Sequence, residues 1–99
     1  MTGVQKFNLP VMYGGLEWQD RRAVREQYVC EQGGNCMHCN ALLASDPPKS
    51  ITSKRIDWKL FPPLFLKYPV HLQHSHKTGL TEGAVHAYCN AVLWQYHGR

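Results

Sequence analysis

Two short stretches decide how this chain folds: Cys36-Met37-His38-Cys39 and, fifty residues on, His86-Ala87-Tyr88-Cys89. In each, two ligand-type side chains stand three positions apart, and a tight turn or a single helical turn aims such a pair at one point. Together they supply the four soft or borderline ligands of a closed tetrahedral zinc site. The chain has reason to need one. Its 99 residues allow one small domain, and a chain of this size buries only roughly 65% of its unfolded surface. A bound metal then acts as a staple. Three alternatives compete with this set. The 4 Cys can pair as disulfides, pack as unlinked core thiols, or bind zinc with Cys30 or His38 in place of His86. Residues 1–10 hold no apolar segment of the secretory type, which predicts a reducing, cytoplasmic setting where structural disulfides are rare. Cys30 reads as a buried small residue near the apolar face of a helix.

Working outward, Leu16 to Gln32 reads as a helix with Leu16, Ala23, Val24, Tyr28 and Val29 on its apolar face, stopped by Gly33-Gly34. Residues 1–15 form a lead-in. Residues 41–67 are a basic connection, with a short helix expected near Ser53–Leu60 and an irregular stretch from Pro62-Pro63 onward. Tyr68–His74 and Gly83–Tyr88 read as two strands joined by a turn at Lys77-Thr78-Gly79, and Cys89–His97 as a closing helix. Trp58, Phe61, Phe65 and Trp94 are expected in the core, because a small domain needs large side chains inside. No apolar run approaches the ~20 residues that span a bilayer, so no membrane partner is expected. Eleven Lys+Arg against seven Asp+Glu give a net charge of +4, which suits a phosphate backbone.

Four of the 6 His lie between positions 71 and 86. On an extended strand, His74 and His76 share one face and His71 and Gln73 the other. An imidazole near neutral pH can take a proton from water, as hydrolysis requires.

Gln32-Gly33-Gly34-Asn35-Cys36-x2-Cys39, then His74-Ser75-His76-Lys77-Thr78-Gly79, Gly83 and His86-x2-Cys89-Asn90, resemble the HNH nucleases of the phage recombination endonuclease VII type. The likeness covers residues 16–40 and 68–97. It implies a small α+β fold: a ββα-metal (HNH) finger with a structural zinc knuckle and an N-terminal helix, in one domain over residues 1–99. It implies a metal-dependent DNA endonuclease that nicks or cleaves phosphodiester bonds, of phage or prophage origin. In that reading His74 is the general base and Asn90 a ligand of a catalytic divalent ion. Cys36, Cys39, His86 and Cys89 hold structural Zn²⁺, with His86 standing where the family usually has a third Cys. Gln73 stands where the family has a metal-binding Asp, and no Asn lies between His74 and Asn90. The catalytic ion is expected to be Mg²⁺, Mn²⁺ or another divalent ion; because a neutral amide is a weak ligand for Mg²⁺, a softer ion or a nearby imidazole, His76 first and His71 second, is expected to help. Lys77 is a phosphate-contact candidate. Lys54, Arg55 and Lys59, with Lys49, form the first candidate DNA patch, and Arg21, Arg22 and Arg25 the second. A homodimer that covers the closing helix fits the short C-terminus. The alternative is a non-catalytic zinc-stapled module on the same fold, binding DNA or serving phage structure and assembly.

Overall fold

A side chain just past the end of the first helix, Gln32, is tied directly to the backbone of a strand, and this link organises the molecule. The computed structural model describes residues 7–98. The elements run α1 (Trp18–Glu31), α2 (Lys49–Thr52), β1 (Val70–His74), β2 (Thr81–His86) and α3 (Ala87–His97), with 3₁₀ turns at Tyr13–Gly15 and Trp58–Leu60. The first six residues of the expected lead-in, and Arg99, lie outside the described residues.

Helix α1 ends in a Schellman motif. Gly34 N–H donates to the Val29 carbonyl (2.9 Å) and Gly33 N–H to that of Cys30 (3.1 Å). Both glycines have positive φ, 66° and 83°, which a side chain would disfavour. This ending delivers Gln32 to the edge of β2. Its carboxamide oxygen accepts from Ala84 N–H (2.9 Å), and its nitrogen donates to the carbonyls of Ala84 (3.0 Å) and Asn35 (2.7 Å). Met37 N–H adds a further bond to the Ala84 carbonyl (3.0 Å). One side chain and one knuckle amide thus satisfy polar groups that a third strand would otherwise meet.

Strands β1 and β2 form an antiparallel pair in which Val70 faces His86 and Gln73 faces Gly83. The register then slips, His74 pairing with Thr81, so that Glu82 is the extra residue of a β-bulge. The connecting turn is held by Ser75, whose hydroxyl accepts from Lys77 and Thr78 N–H, and by Gly79 at φ 79°. The lead-in is also ordered against this sheet. Thr81 N–H donates to the Val11 carbonyl and Tyr13 N–H to that of Gly79, both at 2.8 Å. Nothing in the composition of residues 7–15 announces this docking.

The core consists mainly of small residues: Cys36, Leu43, Ile51, Ala84, Val85, Cys89, Val92 and Leu93. The expectation for the aromatics is corrected here. Trp58 and Trp94 are 40% and 38% exposed, while Phe61 and Phe65 are half-buried. The Pro62-Pro63 segment lays these rings tilted against one another and, for Phe61 and Phe65, edge to face against Trp94 and His71, outside the buried core. Cys30 is likewise exposed, not buried. It falls on the outer side of α1, whose buried residue is Val24.

The helix expected near Ser53–Leu60 does not form. Its carbonyls are taken by side chains of α3. Tyr88 Oη donates to Thr52 and Lys54, and Tyr96 Oη (2.6 Å) and Gln95 Nε2 (3.0 Å) donate to Arg55. With these acceptors occupied, no helix runs on from Ser53 to the 3₁₀ turn, which Asp57 caps by accepting from Lys59 N–H.

Gly83 is required for space, not for its backbone angles. A Cβ there would lie 2.8 Å from Gln32 Oε1 and 2.9 Å from Met37 Cγ. Gly83→Ala is therefore expected to push Gln32 off Ala84 and lower stability. Gln32→Ala, which strips the Ala84 N–H of its partner, should cost ~1–3 kcal/mol. Denaturant unfolding of the metal-loaded protein checks both.

Candidate metal centre and adjoining cleft

The Cys36 turn and the start of α3 meet across the end of the sheet. Cys36, Cys39, His86 and Cys89 place one ligand atom each within 4.8 Å of one another, close enough to share one ion. Among the described residues this is the one group of three or more His, Cys, Asp or Glu side chains that does so. His86 caps α3 and Cys89 lies one turn inside it, so a single helical turn aims both inward.

The His86 ring is oriented from behind. Nε2 lies 2.9 Å from the Leu42 carbonyl and 2.8 Å from that of Ser45. Carbonyls only accept, so Nε2 carries the proton and Nδ1 keeps its lone pair. Nδ1 faces Cys39 Sγ at 3.4 Å and Cys89 Sγ at 3.7 Å. This is the usual outer support of a metal-binding imidazole. The Cys36 sulfur accepts from His38 N–H (3.4 Å), as amides in a knuckle turn do for a thiolate.

The sulfurs compete for charge. The Cys89 thiol beside it holds Cys36 down to about 4 despite burial, helped by main-chain groups of Cys39, His86 and His38. Cys89 is pushed up by the Cys36 sulfur and by burial. Cys36 and Cys89 can ionise together only against a cation, which fits a metal site. Of the alternative ligands, Cys30 is exposed and His38 packs edge-on to His97 at 6.0 Å. Neither joins the cluster. The four cysteines are free thiols, so the disulfide alternative is not what the structure adopts.

A cleft of about 500 Å³ opens beside this centre, between α1, β1, α3 and the segment around Pro62. His71, Gln73, His74, His76 and Asn90 all line it. Their partners differ from the sequence expectation. Gln73 is 2% exposed, and its amide nitrogen donates to the His74 carbonyl (2.9 Å) and to Glu82 Oε1 (3.2 Å). The Asn90 amide donates to His71 Nδ1 at 3.0 Å. Asn90 is thus hydrogen-bonded to the imidazole ranked second.

His74 stacks on Tyr13, with centroids 3.9 Å apart and planes within 9°, and lies 5.0 Å from the His76 ring. The Arg21 guanidinium also packs on this pair, 4.2 Å from the Tyr13 centroid. Burial, then the positive charges of His76 and Arg21, push the His74 imidazole below its ordinary value, with Glu82 pulling the other way. His71 is pushed down chiefly by burial.

The first basic patch is not at the cleft. The Lys54 ammonium lies over the Tyr96 ring (5.3 Å), Arg55 is engaged through its carbonyl, and Lys59 sits exposed in the 3₁₀ turn. Lys77 is exposed in the hairpin turn. The second patch, Arg21, Arg22 and Arg25, lines the cleft. The sequence reading missed Tyr13, Glu82 and the lining role of Trp94. The single available signal was the density of aromatics.

These features define a small α+β protein with a two-stranded antiparallel sheet, helices and a Cys₃His group able to hold a metal ion such as zinc. Comparison with protein-family models, curated proteins and solved structures returns no match. Among the described residues no helix is long and apolar enough to cross a membrane.

If the cluster is a staple, the purified protein should carry about one zinc per chain. Cys36→Ser and Cys89→Ser should lose it, and chelation should abolish the cooperative thermal transition. Elemental analysis and circular dichroism read these outcomes.

Proposed function

We propose that this protein is a zinc-stapled nuclease of the HNH type, a ββα-metal finger that hydrolyses phosphodiester bonds in DNA. The observation that carries the reading is one cleft that collects His71, His74 and His76 together with Arg21, Arg22 and Arg25. Phosphodiester hydrolysis needs a base for water and positive charge at the phosphate. His74 supplies the base. Its depressed proton affinity keeps it neutral, and so able to accept a proton, at pH 7. The arginines supply donors matched to phosphate oxygens. Tyr13 fixes the plane of the His74 ring by stacking. Structural Zn²⁺ at Cys36, Cys39, His86 and Cys89 holds β2 and α3 to the knuckle and keeps the cleft in shape.

A catalytic divalent ion is the weaker part of the family likeness. Among the described residues no carboxylate lines the cleft. Gln73 and Asn90 offer neutral amide oxygens and His76 an imidazole. That donor set is a poor fit to Mg²⁺, which prefers carboxylate oxygens, and the imidazole favours a borderline ion such as Ni²⁺. The same amides, engaged with Glu82 and His71, favour a second reading: a module that binds DNA without cutting it.

Supercoiled plasmid separates the two. Nicking should appear with Ni²⁺ before Mg²⁺, and His74→Ala should reduce it by ~10²-fold or more. Tight binding with no nicking under any ion establishes the second reading. The rate of the wild-type protein should rise with pH along an acid limb and level off below the ordinary histidine range. The sign follows from His74 being active when unprotonated and having its proton affinity lowered. A rate that falls as pH rises through that range contradicts the assignment.

A further inference from the structure

The cleft is walled by rings as well as lined by cations. Trp18, Tyr68 and Trp94 face it from three different segments. Trp18 is 69% and Tyr68 62% exposed, so neither has a packing reason to be aromatic. Behind them Phe61 and Phe65 make edge contacts with Trp94 and His71 at 5.2 and 4.7 Å, a rigid backing for the wall. Among the described residues the one ion pair is Arg22–Glu26, so Arg21 and Arg25 reach the cleft without a carboxylate partner. The Arg21 Nε is moreover buried with no hydrogen-bond partner.

A ligand suited to this surface is anionic at one end and a flat ring at the other. We infer that the cleft takes an unstacked nucleotide, and that the protein prefers single-stranded or unpaired DNA to intact duplex. The inference rests on the nucleic-acid reading above and deepens it. A duplex presents phosphates outward and keeps its bases stacked inside, so aromatic walls gain nothing from it. An unpaired base can enter, stack on Trp18, Tyr68 or Trp94, and leave its phosphate to Arg21 and Arg25. A volume of about 500 Å³ lies within the range of pockets for small ligands.

The test is a titration of the zinc-loaded protein with a short single-stranded DNA oligonucleotide and with the same sequence as a blunt duplex, followed by anisotropy at fixed salt without added divalent ion. The single strand should bind about tenfold tighter or more. Trp18→Ala and Tyr68→Ala, both at exposed positions, should weaken single-strand binding by about tenfold and duplex binding by less. Zinc content and circular dichroism of each variant verify the fold. Equal or tighter duplex binding, absence of binding to either DNA, or equal losses on both DNAs in the two variants overturns the inference. The plasmid assay fails independently. Strand preference that depends on Trp18, without nicking, leaves this inference standing and removes the hydrolytic one. His74-dependent nicking without strand preference does the reverse.

Discussion

The structure depends on one imidazole held from both sides. His86 donates from Nε2 to the Leu42 and Ser45 carbonyls and turns Nδ1 toward Cys39 and Cys89. It sits at the junction of β2 and α3. Through it the loop after the knuckle, the end of the sheet and the start of the last helix share one point. The apolar core cannot do this alone. Its fully buried side chains are few, and the largest of them is the amide Gln73. A domain without a buried large aromatic needs some other strong, local link between distant segments, and four converging ligands able to hold a metal ion are placed to supply it.

A second constraint acts at the edge of the sheet. Gln32 occupies the place of a neighbouring strand, and Gly83 makes the room for it. The helix ending at Gly33-Gly34 matters because it fixes where Gln32 arrives. Helix, knuckle and strand are therefore joined twice, once by hydrogen bonds at Ala84 and once at the ligand cluster. The bulge at Glu82 lies just beyond this double joint, where the sheet is free to deform. There it re-aims His74 toward Tyr13 and brings a carboxylate to the buried Gln73.

The cleft follows from that arrangement. Its floor is β1, held by the joint. Its walls are rings from the lead-in, α1, the Pro62 region and α3. The aromatics excluded from the small core have become the lining of a site, which explains why so many large rings stand partly exposed in so short a chain. Arg21, Arg22 and Arg25 of α1 face the same space. Charge that looked diffuse along the sequence is thereby concentrated in one place, away from the lysines of the central connection.

The sequence alone pointed to the two strands, the closing helix and a ligand set whose alternatives the structure then removed. Spacing of three within a turn constrains where two side chains can point, and alternation does the same for a strand. These are local rules that hold before the chain folds. It also singled out residues 71–86 through the density of His. Only tertiary structure decided which imidazole meets Asn90, that His74 stacks on Tyr13, and that Arg21, Arg22 and Arg25 face the cleft while Lys54, Arg55 and Lys59 do not. It also decided that Ser53–Leu60 forms a 3₁₀ turn at Trp58–Leu60 and no α-helix, because side chains from α3 take carbonyls that a helix would need. Each of these depends on contacts between segments tens of residues apart, set by a core and a metal cluster that form only when the whole chain closes. No periodicity within a single segment carries that information.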